Sequence, residues 1–176
     1  REDLLDKALW ELVKLDNDDD WTAFGSKPTN LWDENPKLNS GAGTSGEHIK
    51  PSILTIDLGV EVDLSRFTLN QRGGKNKWVY GHSAPLQYSI FGSLENPGQD
   101  GNLDDWIRLI DCVSIKPSGL PVGTNTDEDN EQLLIGDEWE FPEVVKVRYI
   151  RVAVYTSWGA KSASRFREFT VWGQIN

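Results

Sequence analysis

The sequence predicts an all-β fold, a sandwich or a barrel, from three observations. Short runs of apolar and β-branched residues recur along the chain with turn-forming residues between them, the spacing typical of both architectures. The 176 residues include 8 Trp, 16 Gly and 8 Pro. No segment has the long apolar stripe of 3.6-residue period that marks an amphipathic helix. The length suits a single domain, which we expect to span residues 1–176.

Strands are predicted along the whole chain. The run 148–155 shows the reason most clearly, because Ile150, Val152 and Val154 alternate with residues of the opposite face, as in a half-buried strand. In chain order the predicted strands are 9–15, 52–58, 66–70, 86–91, 106–112, 148–155 and 166–172. The polar stretch 116–131 is rich in turn formers and is predicted to be a loop.

The charge balance excludes several classes of partner. The chain has 28 Asp and Glu against 18 Lys and Arg, a formal net charge of −10. A field of that sign repels phosphate backbones and anionic lipid surfaces. We therefore expect no nucleic acid partner and no direct lipid binding.

The cysteine and methionine content of the chain and its first residue also indicate what kind of protein it is. The lone Cys112 excludes an internal disulfide framework and a multi-cysteine zinc site, and its place at the end of a predicted strand favours a buried thiol. The chain has no Met and begins with Arg. We therefore expect a processed or trimmed piece of a longer precursor.

Two acidic runs imitate the start of a calcium-binding loop, which needs carboxylates at alternate positions and then a glycine turn. The first run holds Asp16, Asp18 and Asp20, and the second holds Asp127, Asp129 and Glu131. Trp21 and Gln132 stand where those two runs would need the glycine. We interpret both as solvated acidic loops.

Motifs for catalysis are weak. The chain has no Gly-x-Ser-x-Gly elbow and no zinc-protease histidine pair, and His48 and His82 lie in unrelated loop contexts. A small hydrolase would need two carboxylates that face each other in a pocket. We therefore expect a protein that is not an enzyme.

A series of short signatures runs from Ser52 to the end of the chain. They are SILTIDLG at 52–59, LSRFTLNQR at 64–72, PLQYSIFGS at 85–93, RYIRV at 148–152 and REFTVWG at 167–173. Their order resembles the discoidin, or coagulation factor V/VIII C-type, family, and the resemblance is strongest over 52–176. KPSG at 116–119 and TDED at 126–129 resemble a variant at the C-terminal end of cell-surface lipoproteins in Bacteroidetes glycan-uptake systems.

The resemblance implies a galactose-binding-like jelly roll, a β-sandwich of two antiparallel sheets whose functional loops gather at one end. Carbohydrate-binding modules, phospholipid-binding domains and protein-adhesion domains share that frame, and the net charge of −10 argues against the phospholipid branch. We expect a non-catalytic carbohydrate-binding module of a cell-surface or periplasmic protein, outside the cytoplasm, with glycan as partner. The alternative is a structural or protein-interaction module that spaces or presents other domains among other surface proteins.

The segment 72–85 connects two predicted strands at what the resemblance implies is the ligand end. It combines aromatic rings, which can lie against the C–H face of a sugar, with donors for ring hydroxyls. A further Trp lies in 156–160, directly after an apolar strand. The predicted ligand-binding residues are Arg72, Lys77, Trp78, Tyr80, His82 and Trp158.

The resemblance also implies a structural calcium ion near that end. Asp33, Asn35 and Glu168 match the positions of its ligands, whereas Leu38 stands where a hydroxyl residue is usual. Calcium takes six to eight oxygen ligands, and these residues supply about three side chains. The alternative is that Asp33 caps a turn.

Overall fold

The structure is a computed structural model that describes residues 2–48 and 50–176. Its strands are β1 (Asp3–Leu4), β2 (Glu11–Val13), β3 (Ala42–Gly43), β4 (Ser52–Asn70), β5 (Pro85–Ser93), β6 (Ile107–Val113), β7 (Asp137–Glu140), β8 (Lys146–Ser157), β9 (Arg165–Phe166) and β10 (Glu168–Ile175). The α-helix α1 spans Asp127–Ile135. Short 3-10 helices lie at Lys7–Leu9, Ala23–Gly25, Pro28–Trp32, Asn76–Trp78 and Leu103–Asp105. No helix of the described residues is long and apolar enough to cross a membrane.

The 19-residue strand β4 belongs to both layers of a sandwich. Its first part pairs with β2 and β8, and β8 pairs in turn with β5, which pairs with β6. Its second part pairs with β7 and β10, and β10 pairs with β1. All these pairs are antiparallel, so the predicted jelly-roll sandwich of two antiparallel sheets is confirmed.

The two parts of β4 meet where its pairing with β8 is interrupted. The register shifts between Asp57 and Val62, and Gly59 in between has φ +76°. A Cβ at Gly59 would lie 2.5 Å from the carbonyl oxygen of Leu9, so only glycine fits this close approach. The predicted strands 52–58 and 66–70 are therefore two parts of one strand.

The core lies between the layers. Ile150, Val152 and Val154 of β8 are fully buried and pack in the main core, as their alternation predicted. From the other layer, the ring centroid of Phe67 lies 5.4 Å from that of Phe169. The opposite face of β8 is covered too, because Ala153 packs in a second cluster of apolar side chains. The predicted buried thiol of Cys112 is confirmed, with an exposed fraction of 3%.

The strand predicted at 9–15 corresponds to β2 and is shorter than predicted. Leu9 belongs to the 3-10 helix Lys7–Leu9, and Glu11–Val13 is the part of the predicted strand that pairs with β4. The Asp6 carboxylate accepts a hydrogen bond from the backbone N–H of Ala8 at 2.9 Å and caps that helix. The cap satisfies a backbone N–H group of this 3-10 helix that would otherwise need a strand partner.

The helix α1 lies within and beyond the stretch predicted to be a loop, so that prediction is wrong for Asp127 and the residues after it. The Thr126 hydroxyl accepts from the N–H of Asp129, and the Asp129 carboxylate accepts from the N–H of Thr126, a capping box. Asp129 is buried, and its carboxylate also accepts two hydrogen bonds from Ser118, which offset its desolvation. Only Asp129 and Leu133 of the nine helical residues are buried, so no apolar stripe revealed the helix.

In the other acidic run Asp16 and Asp20 are exposed, but Asp18 is not. Asp18 is 3% exposed, and its carboxylate Oδ1 lies 2.9 Å from Nη2 of Arg151, which is fully buried. The interpretation of Asp18 as part of a solvated loop is therefore wrong. A cation that is distant in sequence holds the carboxylate inside the protein.

Candidate functional site

A cavity of about 400 Å³ opens beside the connection between β4 and β5. It is lined by Phe24, Asn39, Arg72, Lys77, Trp78, His82 and Arg165, and these residues are called the loop pocket below. The volume lies within the range of small-molecule sites, about 300 to 1,000 Å³. The structure therefore brings Arg72, Lys77, Trp78 and His82 together, as the sequence predicted.

Trp78 is held in the pocket wall by cations. It ends the 3-10 helix Asn76–Trp78 and is half-buried. The Cζ atom of Arg72 lies 4.2 Å from the centroid of its ring, and the Nζ atom of Lys75 lies 4.8 Å away. Both distances allow a cation–π interaction, which fixes the orientation of the indole.

Phe24 gives the pocket its largest free aromatic surface. Its side chain is fully exposed, and its backbone has φ +55°, in the left-handed region that non-glycine residues rarely adopt. Such a conformation costs on the order of 1 kcal/mol, and an exposed ring recovers nothing by packing. The strained backbone and the exposed ring make Phe24 a candidate binding residue.

The segment that contributes His82 is also strained. Tyr80 has φ +43° and His82 has φ +50°. The loop after β8 braces this segment, because the N–H of Gly159 donates to the carbonyl oxygen of His82 at 2.8 Å. A Cβ at Gly159 would lie 2.5 Å from the His82 backbone, so the close approach requires glycine.

Two predicted ligand residues do not line the loop pocket. Tyr80 is fully buried, and its ring meets that of half-buried Trp158 edge to face, with the centroids 5.7 Å apart. Both pack with Val79 and Leu133. This packing covers Tyr80 completely. The prediction that Tyr80 offers a ring face to a ligand is therefore wrong, and Tyr80 and Trp158 support the segment behind His82.

The charges of the pocket repel one another. Burial, together with the positive charge of Arg165, lowers the pKa of Arg72 to about 10. Burial alone lowers the pKa of Arg165. Burial, and then the charges of Arg72, Lys161 and Lys77, lower the pKa of His82. At neutral pH the two guanidinium groups therefore stay charged and the imidazole is neutral.

Three residues that line the loop pocket were not predicted from the sequence. Phe24 lies in the short 3-10 helix Ala23–Gly25, Asn39 lies in a turn before β4, and Arg165 lies in β9. Their approach to residues 72–82 depends on how distant loops fold over the end of the sandwich. A signal was present only for Phe24, since a Phe-Gly pair in a polar stretch suggests a turn with an exposed ring.

Comparisons with known proteins agree with this architecture. Residues 30–173 match the model of a family described as DUF5000, a domain of unknown function. The chain belongs to the DUF5000 family. A comparison of this DUF5000 domain with curated protein sequences found no match.

Solved structures share the fold of the DUF5000 domain. The SusE-like protein BT2857 is 32% identical, with a TM-score of 0.91 over 97% of this chain and 100% of that one. A family 32 carbohydrate-binding module of NanJ from C. perfringens, in complex with galactose, is 13% identical, with a TM-score of 0.62 over 98% and 99% of the two chains. A putative chitobiase fragment from Bacteroides thetaiotaomicron is 20% identical, with a TM-score of 0.63 over 99% and 94%. The discoidin-like resemblance is confirmed.

The residues predicted to bind calcium in the DUF5000 domain do not fit that ion. The Glu168 carboxylate accepts a hydrogen bond from Nζ of Lys7 at 2.7 Å, and this ammonium also donates to the Thr170 hydroxyl at 2.8 Å. The side chains of Lys7 and Glu168 are 8% and 7% exposed. The cation of Lys7 thus neutralises Glu168, in the position where the family resemblance implied a metal ion.

Asp33 and Asn35 also have other roles. The Asp33 carboxylate accepts from the N–H of Asn35 at 3.0 Å, and the Asn35 side-chain oxygen accepts from the N–H of Lys37 at 3.0 Å. Both residues are exposed and cap successive turns. Within residues 2–48 and 50–176, no group of three or more His, Cys, Asp or Glu side chains could hold a metal ion.

We expect calcium to leave the melting temperature of metal-free protein unchanged. An ion that binds only the folded state raises its stability by mass action, but Lys7 already compensates the charge of Glu168. Thermal unfolding followed by circular dichroism, with millimolar calcium and with chelator, measures the effect. A rise in melting temperature that chelator reverses would contradict this and restore Asp33, Asn35 and Glu168 as calcium ligands.

Proposed function

We propose that this domain is a non-catalytic carbohydrate-binding module that holds a glycan in the loop pocket. The observation that supports it most is the fully exposed ring of Phe24 beside a group of hydrogen-bond donors. A pyranose has an apolar C–H face and a rim of hydroxyls, so an aromatic surface next to directed donors matches both parts. Asn39, Arg72 and Lys77 supply donors at the rim.

The lining of the pocket supports binding and not hydrolysis. Glycoside hydrolysis needs a pair of carboxyl groups about 5 to 10 Å apart on either side of the sugar. The residues that line the loop pocket include no Asp or Glu. His82 is the one histidine among these lining residues, and no Asp or Glu stands beside it there.

The comparisons support the same function. The neighbour from NanJ is a carbohydrate-binding module in complex with galactose, and BT2857 is SusE-like. We place this domain outside the cytoplasm, at the cell surface or in the periplasm, as a module of a longer protein. A structural or protein-interaction module remains the alternative that the following experiment would favour if no glycan bound.

The expected result with Phe24→Ala is loss of glycan binding without loss of stability. Central aromatic residues of a binding site contribute about 2 kcal/mol or more, a factor of about 30 in Kd. Truncation of a fully exposed ring changes the free energy of unfolding by about 0.5 kcal/mol or less. A glycan array identifies a ligand for the parent, and calorimetric titration with urea unfolding then compares the variant.

A matched pair of tryptophan variants tests the site against a general loss of packing. Trp172 is also half-buried, and Cζ of Arg66 lies 3.7 Å from its ring centroid, so it shares the partial burial and the cation–π contact of Trp78 but lies in β10, outside the loop pocket. Trp78→Ala should weaken glycan binding and Trp172→Ala should not, at similar cost in stability. Equal affinities in the two variants, or a parent that binds no glycan on the array, would refute the proposed site.

A further inference from the structure

The loop pocket concentrates positive charge on an acidic protein. Three of its lining residues, Arg72, Lys77 and Arg165, are permanent cations, and none is an acid. The chain as a whole has a formal net charge of −10. The local charge of the pocket is therefore opposite in sign to that of the protein, and physiological salt largely screens it only beyond about 8 to 10 Å.

Arg72 is buried without a partner. It is 8% exposed, and among the described residues its guanidinium has no hydrogen bond and no ion pair, while its Nε atom is fully buried. A buried charge is unfavourable unless it is paired and hydrogen-bonded. Its guanidinium instead lies over the ring of Trp78, with Cζ 4.2 Å from the ring centroid.

The other buried cations of the described residues all have partners. Arg151 donates to a carboxylate, an amide, a hydroxyl and a carbonyl oxygen. Lys116 donates to three backbone carbonyls, and Arg167 donates to the carbonyl of Leu133. The missing partner of Arg72 is therefore a local feature of the pocket and not a general property of this fold.

Arg165 adds a second positive charge without a partner to the loop pocket. Its half-buried side chain makes no hydrogen bond or ion pair to the described residues, and its Nε atom is also buried without a partner. The charges of Arg165 and Arg72 repel each other across the pocket. Like charges that face one cavity are unfavourable in the free protein, and an anion between them would remove the repulsion.

A guanidinium presents parallel N–H donors in a rigid fork that matches a carboxylate or a sulfate. The hydroxyls of a neutral sugar accept hydrogen bonds from such a fork but do not neutralise its charge. Resting on the proposed glycan-binding function, we infer that the loop pocket selects an anionic glycan, whose carboxylate or sulfate ester is held by Arg72 and Arg165.

The test uses matched pairs of ligands that differ only in charge. The probes are oligogalacturonate with its methyl ester, and a sulfated galactan oligosaccharide with its desulfated form, titrated by calorimetry. We expect the parent to bind a charged member at least about tenfold more tightly than its neutral partner, with an affinity that falls as salt is added. Preference for the uronate or for the sulfated probe identifies which anion the pocket accepts.

Variants separate charge from packing. Arg165→Gln should weaken binding of the charged probe by about 10- to 100-fold, the range for lost hydrogen bonds to a charged group. Arg165→Lys, which keeps the charge but not the fork, should weaken it less. Arg66→Gln, outside the pocket, should leave it unchanged. Arg165→Gln should not lower the melting temperature of the free protein, because it removes a repulsion and no hydrogen bond.

Each contrary result has a distinct meaning. Equal affinity for the charged and neutral members, or equal affinity of Arg165→Gln and the parent for the charged member, would overturn the anionic inference and leave glycan binding intact. Failure of the parent to bind any glycan, charged or neutral, would overturn the proposed function as well.

Discussion

Arg151→Met is expected to lower the free energy of unfolding by about 3 to 5 kcal/mol, the range for a buried ion pair that loses one partner. Arg151 is fully buried, and its Nη2 atom lies 2.9 Å from Oδ1 of Asp18. Without the guanidinium, the Asp18 carboxylate stays inside the protein with its charge uncompensated. Urea unfolding at neutral pH measures the loss.

The expected loss is large because Arg151 connects separate parts of the chain. Its Nε donates to the Thr55 hydroxyl at 2.9 Å, and that hydroxyl donates to Asp18 Oδ2 at 2.8 Å. Its Nη2 also donates to Asn17 at 2.6 Å, and its Nη1 donates to the carbonyl oxygen of Gly101. The acidic segment before β4, the segment before β6 and strands β4 and β8 therefore all lose contacts at once.

A control is available on the same strand. Arg148 pairs with Asp57 at 3.0 Å, but its side chain is 43% exposed. Because water and salt screen that pair, Arg148→Met should leave the stability nearly unchanged. The double variant Asp18→Leu with Arg151→Met should recover part of the loss, since no charge stays buried. Equal losses for Arg148→Met and Arg151→Met would contradict the assignment of Asp18 and Arg151 as a buried pair.

The second large effect that we expect is a change of stability with pH that arises from Asp137. Its carboxylate is 6% exposed and accepts hydrogen bonds at 3.0 Å from Gln71 Nε2 and from the Tyr88 hydroxyl. Burial raises the pKa of Asp137 to about 6, although these hydrogen bonds favour the charged form. Asp137 should therefore ionise in the folded protein near pH 6, about two units above its ordinary pKa.

The sign of the effect follows from proton binding. Because the pKa of Asp137 is higher in the folded protein than in the unfolded chain, the folded state binds the proton more tightly between about pH 4 and pH 6. The stability from this group is complete below about pH 4 and is lost as the pH rises through about 6. A shift of about two units corresponds to about 3 kcal/mol.

Comparison with Asp137→Asn isolates this contribution, since the amide does not titrate. The difference in unfolding free energy, parent minus variant, should fall by about 3 kcal/mol from about pH 4 to pH 7. Asp129, whose pKa is lowered by its hydrogen bonds despite burial, and Glu168, whose pKa is raised by burial, are present in both proteins. Their effects therefore cancel. A constant difference across this range would show that Asp137 has an ordinary pKa in the folded protein.

The sequence predicted most of the sandwich because its strands follow a local rule. Alternation along β8 identified Ile150, Val152 and Val154 as the face toward the main core, and they are fully buried there. The helix α1 escaped prediction, because its stability depends on a capping box and on contacts of Asp129 with Ser118 and not on an apolar stripe. Nor did local pattern show that β4 continues through Gly59 from one layer to the other.

The candidate site was predictable only in part. Arg72, Lys77, Trp78 and His82 lie in one connection between strands, so their sequence proximity placed them together. Tyr80 and Trp158 are aromatic loop residues like Trp78, yet they pack on each other behind the pocket. Residue type and spacing do not distinguish a ring that faces solvent from one that faces a neighbouring loop.

Local sequence pattern was enough to predict the all-β class, the order of most strands and the connection that holds four of the seven residues of the loop pocket, because periodicity and turn residues act over a few positions. Contacts between residues that are distant in sequence followed only from the folded arrangement: Arg165 with Arg72, Lys7 with Glu168, and Arg151 with Asp18. Burial and charge compensation depend on three-dimensional neighbours. The same acidic or basic residue is therefore a solvated surface group, a buried structural ion or a binding group according to what the fold brings beside it.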